Sequence, residues 1–364
     1  MYPQRQVFTL DQYTTTSGKA LRNVRIGYET YGKLNAAKDN VILVCHFFSG
    51  TAHAAGRYRD ADPLPGWWDA AIGPGKALDT DRYFIVSSDS LVNLVVGDGL
   101  TVTTGPASIN PDTGRRYGCD FPIVTVTDFV RVQKKLLEHL GIDRLAAVAG
   151  PSGGSVQAIE WSVEYPECVP RVVAVISPGL TLHPYATAMV ECWARPIMLD
   201  PAWKNGYYHP AEPPRKGLIE ALRLTTLTAL SYEALEKQFG YGPADPAKDP
   251  AQSLANEFMA DAMLGKLAAD RAEITDANHF LYMVRACKLY NAESRIHLSQ
   301  AKYLFMPAET DLIFPPQLSE RAVAALNAIG RKAELFVLRG TGGHMDGLTQ
   351  MAQACNAIND FLME

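Results

Sequence analysis

Apolar residues fall into two spacings along this chain. Unbroken runs, Val41-Ile42-Leu43-Val44-Cys45, Tyr83-Phe84-Ile85-Val86-Ser87, Leu145-Ala146-Ala147-Val148-Ala149, Arg171-Val172-Val173-Ala174-Val175-Ile176-Ser177, Tyr303-Leu304-Phe305-Met306 and Glu334-Leu335-Phe336-Val337-Leu338, have the pattern of strands buried on both faces. Between them lie segments of helical period. Residues 128–140 repeat apolar side chains every third or fourth position and stop at Gly141, which predicts a helix with a glycine cap. Further helices are predicted after Gly154, near 318–329 and at 348–361. Strands alternating with helices specify an α/β fold with a mostly parallel central sheet covered on both faces.

Two stretches depart from that alternation. Residues 6–10 and 24–31 read as short β-prone pieces and predict an N-terminal antiparallel hairpin. From Gly179 to His297 the strand runs cease, and helical patterns appear at 218–230, 232–239, 249–267 and 280–290, broken by the proline-rich residues 207–214. This predicts a helical cap, residues 179–297, inserted into a core made of residues 1–178 and 298–364.

Composition narrows the function classes. With 364 residues, 47% hydrophobic and 20% charged, the chain is of globular type and long enough to bury a large core. A net charge of −5 with scattered basic residues argues against a nucleic-acid or anionic-membrane partner. No apolar run reaches the length of a membrane span, and residues 1–6 lack the apolar segment of a signal peptide. The cysteines Cys45, Cys119, Cys168, Cys192, Cys287 and Cys355 lie far apart with no Cys-x-x-Cys pair. That speaks against a metal site or a disulfide framework and leads to the expectation of a cytoplasmic protein. Cys45, inside an apolar run, reads as a buried filler.

The chemistry centres on Gly150-Pro151-Ser152-Gly153-Gly154, a Gly-x-Ser-x-Gly turn between a strand and a helix. Small residues on either side of a serine suit a strained elbow that lifts the hydroxyl to the edge of the sheet. A serine hydroxyl needs a base to become a nucleophile, and the base needs an acid to hold its tautomer. Asp311 follows the 303–306 strand and His344 follows the 334–338 strand, in the chain order such an elbow requires. Glu309 is the second candidate acid. The oxyanion formed on attack needs two backbone donors, assigned to Gly153 and to Phe48 in the loop after Cys45. His46 is read as orienting that loop.

These residues carry a family resemblance. The chain resembles the homoserine O-acetyltransferase family of α/β hydrolases over nearly its whole length. The most specific pieces are Gly66-Trp67-Trp68-Asp69, the run from Ile72 to Thr80, Thr104-Gly105-Pro106-Ala107-Ser108-Ile109-Asn110-Pro111, Asp120-Phe121-Pro122, Gln157-Ala158-Ile159-Glu160-Trp161, Asp276-Ala277-Asn278 and Asp311-Leu312-Ile313-Phe314-Pro315. The resemblance implies an α/β-hydrolase fold, a Ser152–His344–Asp311 triad, Phe48 on the oxyanion loop and acyl transfer through a serine-bound acyl-enzyme. It also implies a homodimer packed through cap helices.

Several positions depart from the family pattern. Family transferases place an arginine in a cap segment ending Arg-Gln-Ala-Ile, where it meets the homoserine carboxylate; the matching run here is Ala194-Arg195-Pro196-Ile197. An aspartate normally follows the histidine at once, whereas here Met345 precedes Asp346. The oxyanion loop carries the bulky Phe47-Phe48, and Leu91–Gly99 is unusually apolar. Phe47, Ala194, Arg195, Met345 and Asp346 are therefore the candidate pocket residues. Their apolar bias leads to the expectation of a serine ester hydrolase acting on small acyl esters, without cofactor. The first alternative is an acetyl-CoA-dependent homoserine O-acetyltransferase. A non-catalytic binding protein on a hydrolase fold is the remote one.

Overall fold

The computed structural model describes residues 1–364. Its strands are β1 (Gln6–Thr14), β2 (Ala20–Tyr31), β3 (Val41–Cys45), β4 (Ile72–Gly73), β5 (Leu78–Asp79), β6 (Phe84–Ser88), β7 (Ala147–Pro151), β8 (Arg171–Val175), β9 (Lys302–Met306) and β10 (Ala333–Leu335). The helices are α1 (Val126–His139), α2 (Gly153–Glu164), α3 (Pro184–Leu199), α4 (Arg215–Ala229), α5 (Tyr232–Phe239), α6 (Met259–Ala272), α7 (Ala277–Lys288), α8 (Pro316–Ala328), α9 (Asp346–Thr349) and α10 (Cys355–Met363). Eight strands form one sheet in the order β1-β2-β6-β3-β7-β8-β9-β10. The β1–β2 and β2–β6 pairs are antiparallel and every other pair is parallel. β4 and β5 form a separate two-strand ribbon.

The apolar runs become the centre of the sheet because no water reaches either face there. Every residue of β3 and β7 is buried, with helices α1 and α2 packed on one side and Trp68, Ile72, Ile358 and Phe361 on the other. The N-terminal hairpin is tied down at α1. The Thr125 amide donates to Asp128 at 2.7 Å in the first turn of that helix, and Asp128 also accepts from Tyr13 and Thr16 at 2.7 Å. At the other end of α1, Gly141 takes the left-handed conformation that the predicted stop requires.

Between β8 and β9 the chain contributes no strand to the sheet and forms α3 to α7. Here the pattern and the structure differ in two places. Helix α3 was not among the predicted periodic segments, because Pro184 and Pro196 bracket it; Pro184 stands at its first position, where a missing N–H costs nothing, and Pro196 in its last turn. Residues 249–258 are turns rather than the start of a helix. Their side chains take the backbone for themselves: Asp249 accepts from Ala251 at 2.9 Å and Ser253 accepts from Ala255 at 3.1 Å, so α6 begins only at Met259. The C-terminal segment is likewise broken, into α9, a 3-10 turn at Met351–Ala354 and α10. No helix is long and apolar enough to cross a membrane.

Candidate active site

The C-terminal ends of β7, β9 and β10 point to one place. At the end of β7 the chain reverses into α2, and Ser152 at the apex has φ 55°, ψ −119°. A non-glycine residue in that region is strained, and the strain is held by crowding on both sides. A Cβ on Gly150 would stand 2.7 Å from the Cys45 carbonyl oxygen, and one on Gly154 only 2.1 Å from it. The glycines therefore let β3 pass under the elbow. Ile176, after β8, is a second strained residue (φ 43°) and lines the same site; no sequence pattern marked it.

Ser152, His344 and Asp311 form a continuous hydrogen-bonded chain. His344 Nε2 lies 2.8 Å from Ser152 Oγ, and His344 Nδ1 lies 2.7 Å from Asp311 Oδ2. The other oxygen, Asp311 Oδ1, accepts the amides of Ile313 and Phe314 at 2.8 and 3.0 Å, which fixes the carboxylate plane. An acceptor at Nδ1 makes that nitrogen the protonated one, so Nε2 turns its lone pair to the serine hydroxyl. All three side chains are buried. Glu309, the second candidate acid, is drawn outward by Arg339 at 3.0 Å.

The loop after Cys45, expected to supply an oxyanion donor, lies against the elbow. Gly153 opens α2 and so has no acceptor one turn back. A Cβ on Gly153 would lie 3.2 Å from the Phe48 amide nitrogen, which makes the two backbone groups neighbours. His46 holds the loop from the core side. Its Nδ1 donates to the Phe47 carbonyl at 2.7 Å, and its Nε2 accepts from the Ser90 amide at 3.2 Å. Burial lowers the His46 pKa to about 4, which keeps the ring neutral for this double role. Asn93 adds a bond to the Gly50 carbonyl at 2.9 Å.

Above Ser152 opens a cavity of about 690 Å³, lined mainly by apolar side chains. Phe47, Phe48 and Met345 line it, as do Trp193, Leu230, Ile313 and Phe314. Ala194 does not; it is packed in the core behind Trp193. Arg195 faces solvent and pairs with Glu191 at 2.8 Å, one helical turn away. Asp346 turns its buried carboxylate under the His344 loop, where it accepts the Gly342 amide at 2.9 Å. The cation that does line the cavity is Arg271, from the last turn of α6. It donates to Thr226 at 2.8 Å and Ser49 at 3.2 Å, and no carboxylate pairs with it. Burial pulls its pKa down from the ordinary value, yet a guanidinium stays charged. Nothing in the sequence marks Arg271: it lies beyond the periodic segment that ends at residue 267 and belongs to none of the motifs, and only the extension of α6 to Ala272 carries it to the cavity.

Other motif residues prove to be supports. Asp276 caps α7 by accepting the Asn278 and His279 amides at 3.0 Å. Trp68 donates to the Gly347 carbonyl at 3.1 Å, below the histidine loop. No group of His, Cys, Asp or Glu is placed to hold a metal ion.

Residues 64–350 match the family model for the alpha/beta hydrolase fold. A homoserine O-acetyltransferase from Symbiobacterium thermophilum is 40% identical over 96% of this chain and 91% of its own length. The chain belongs to the homoserine O-acetyltransferase family of α/β hydrolases. Among solved structures, a homoserine O-acetyltransferase from Bacillus anthracis superposes on the chain with a TM-score of 0.94, at 35% identity, covering 100% of this chain and 98% of that one. A structure called esterase E22 superposes with a TM-score of 0.95 at 45% identity, covering 99% of this chain and 100% of its own. Other curated relatives at 37–39% identity carry the transferase name. These names overturn the expectation of a small-ester hydrolase. That expectation rested on the combined loss of charged anchors at Ala194 and Met345 and the apolar Phe47-Phe48 and 91–99 stretches, whereas the cavity of this family member holds a cation from another helix, Arg271.

Proposed function

We propose that the protein is an O-acyltransferase that moves an acetyl group from acetyl-CoA to the hydroxyl of homoserine. The observation that carries the reading is the Ser152–His344–Asp311 hydrogen-bonded chain, opening on a cavity that holds both apolar walls and one guanidinium. The names of the curated relatives support transfer to an alcohol over release to water.

In the first half-reaction Ser152 Oγ attacks the thioester carbonyl while His344 Nε2 takes its proton. The oxyanion sits on the amides of Gly153 and Phe48. Collapse breaks the C–S bond, and His344 returns the proton to the leaving thiolate, leaving acetyl-Ser152 and the free thiol. In the second half the homoserine hydroxyl gives its proton to His344 and attacks the acetyl-serine. Collapse then releases O-acetylhomoserine, and the proton returns to Ser152. Asp311 holds the histidine tautomer throughout and stabilises the transient imidazolium. The N–H groups of Arg271 not used by Thr226 and Ser49 suit the acceptor's carboxylate.

On this reading the helices between residues 179 and 297 act as the cap that roofs the cavity. Met198, Leu199 and Leu227 expose apolar surface on α3 and α4, which supports pairing of two copies through the cap. The cysteine usage supports a cytoplasmic setting. The test is incubation with acetyl-CoA and L-homoserine, with thiol release followed by a disulfide reagent and the product by mass spectrometry. Stoichiometric thiol and O-acetylhomoserine are expected. Thiol release without O-acetylhomoserine would overturn the acceptor assignment.

A further inference from the structure

The loop that carries the Phe48 amide is held from two sides by different parts of the chain. On the core side, His46 and Asn93 fix the Phe47 and Gly50 carbonyls at 2.7 and 2.9 Å. Between those two anchors, Phe48 and Ser49 lean on elements that follow β8. The Phe48 ring packs edge-on against Trp193 of α3 at 5.7 Å and Phe280 of α7 at 5.2 Å. The one hydrogen bond from that side is Arg271 Nη2 to Ser49 Oγ, at 3.2 Å. Arg271 is itself anchored by Nη1 on Thr226 Oγ1 at 2.8 Å, and Thr226 Oγ1 donates to the Leu222 carbonyl at 2.8 Å, so the guanidinium is fixed to α4. No carboxylate competes for it.

We propose that Arg271 is a positioning residue for the oxyanion hole: through Ser49 it sets the Phe48 amide, so that the helical insertion completes the hole that the elbow begins at Gly153. The inference rests on Phe48 and Gly153 being the oxyanion donors. It is separate from any contact between Arg271 and a substrate carboxylate, because it applies to a substrate that has none. An oxyanion hole works through donors held in place before charge develops, and removing one donor outright costs about 100- to 1,000-fold in rate. A donor left in place but loosened costs less and acts on the chemical step rather than on binding.

The experiment is the pre-steady-state burst of p-nitrophenolate from p-nitrophenyl acetate, a neutral ester, with the full-length protein. It reads acylation of Ser152 alone, whichever alcohol is the acceptor. Arg271→Met and Ser49→Ala are each expected to slow the burst about tenfold, while the ester concentration for half-maximal rate stays within about threefold. The double variant is expected to be no slower than the slower single variant, since both break one contact. Arg271→Lys, which keeps a donor within reach of Ser49, is expected to recover most of the rate. Ser49→Ala removes a single hydroxyl, so its result stands even if Arg271→Met folds poorly. Wild-type burst rates in Ser49→Ala, or rate losses that multiply in the double variant, would overturn the proposal.

Discussion

The Asp346 carboxylate accepts the amide of Gly342 at 2.9 Å and thereby closes the turn that presents His344. The packing is tight: a Cβ on Gly342 or Gly340 would stand 2.5 Å from an Asp346 oxygen. Asp346 thus acts on the base from beneath, away from the cavity. Asp346→Ala leaves the amide without its partner and is expected to cost about 1–3 kcal/mol of stability and to lower kcat several-fold. Asp346→Asn, which keeps an acceptor oxygen, should lose much less of both. Chemical denaturation alongside kcat measures the pair, and equal losses in the two variants would show that the charge, not the hydrogen bond, matters.

Ser152→Ala is expected to remove acyl transfer to the background level with a nearly unchanged melting temperature, because the hydroxyl it loses makes one hydrogen bond, to His344. Asp311→Asn keeps the two backbone amide bonds on one oxygen but presents the wrong partner to His344 Nδ1, and a drop in kcat of about 10,000-fold is expected. A fluorophosphonate probe that labels wild type and not Ser152→Ala would identify the nucleophile directly.

Burial holds the His46 pKa at about 4, below its ordinary value of about 6.5. Between those values the unfolded chain takes up a proton that the folded chain refuses. Stability from this residue is therefore complete above pH 6.5 and is lost as the pH falls toward 4, a loss of roughly 3 kcal/mol in all. Denaturation midpoints at pH 7 and pH 5 should fall further apart for wild type than for His46→Asn, whose amide does not titrate. The same spread in both proteins would remove His46 as the cause.

Gly154→Ala should fail for a steric reason rather than a chemical one. Its Cβ would meet the Cys45 carbonyl oxygen at 2.1 Å, and that oxygen is backbone, with no flexible side chain to move aside. A stability loss of about 3 kcal/mol is expected, at the upper end for overpacking, with disproportionate loss of activity because β3 and the elbow must separate. Thermal melting and kcat report the two effects.

Much of this site was readable from residues in order. A serine between glycines after an apolar run, then an aspartate and a histidine after later strands, meet at one edge when those strands run parallel in one sheet, as β7, β9 and β10 do with β8 between the first two, and the alternation of strand and helix predicts such a sheet. The resemblance to the acyltransferase family rests on further local motifs, such as Gly66-Trp67-Trp68-Asp69 and Gln157-Ala158-Ile159-Glu160-Trp161. The pocket was less readable. Ala194 and Arg195 drew attention by position in a motif, yet one residue along a helix turns a side chain by about 100°, and Arg195 ends on the solvent face beside Glu191. Asp346 and Arg271 changed places in the same way, the expected pocket residue serving the turn and the overlooked one entering the cavity.

Local order in the chain was enough for most of the elements, the parallel sheet, the elbow at Ser152 and the placing of Asp311 and His344 after later strands, because each depends on period, turn chemistry or succession along the backbone. What lines the cavity depends on how α3, α4 and α6 pack on one another and over the sheet, and those angles arise from contacts between residues far outside any local sequence pattern. Arg271 and Ser49 lie 222 positions apart and meet through one hydrogen bond. Only the folded chain decides that such a pair exists, and with it which cation lines the cavity.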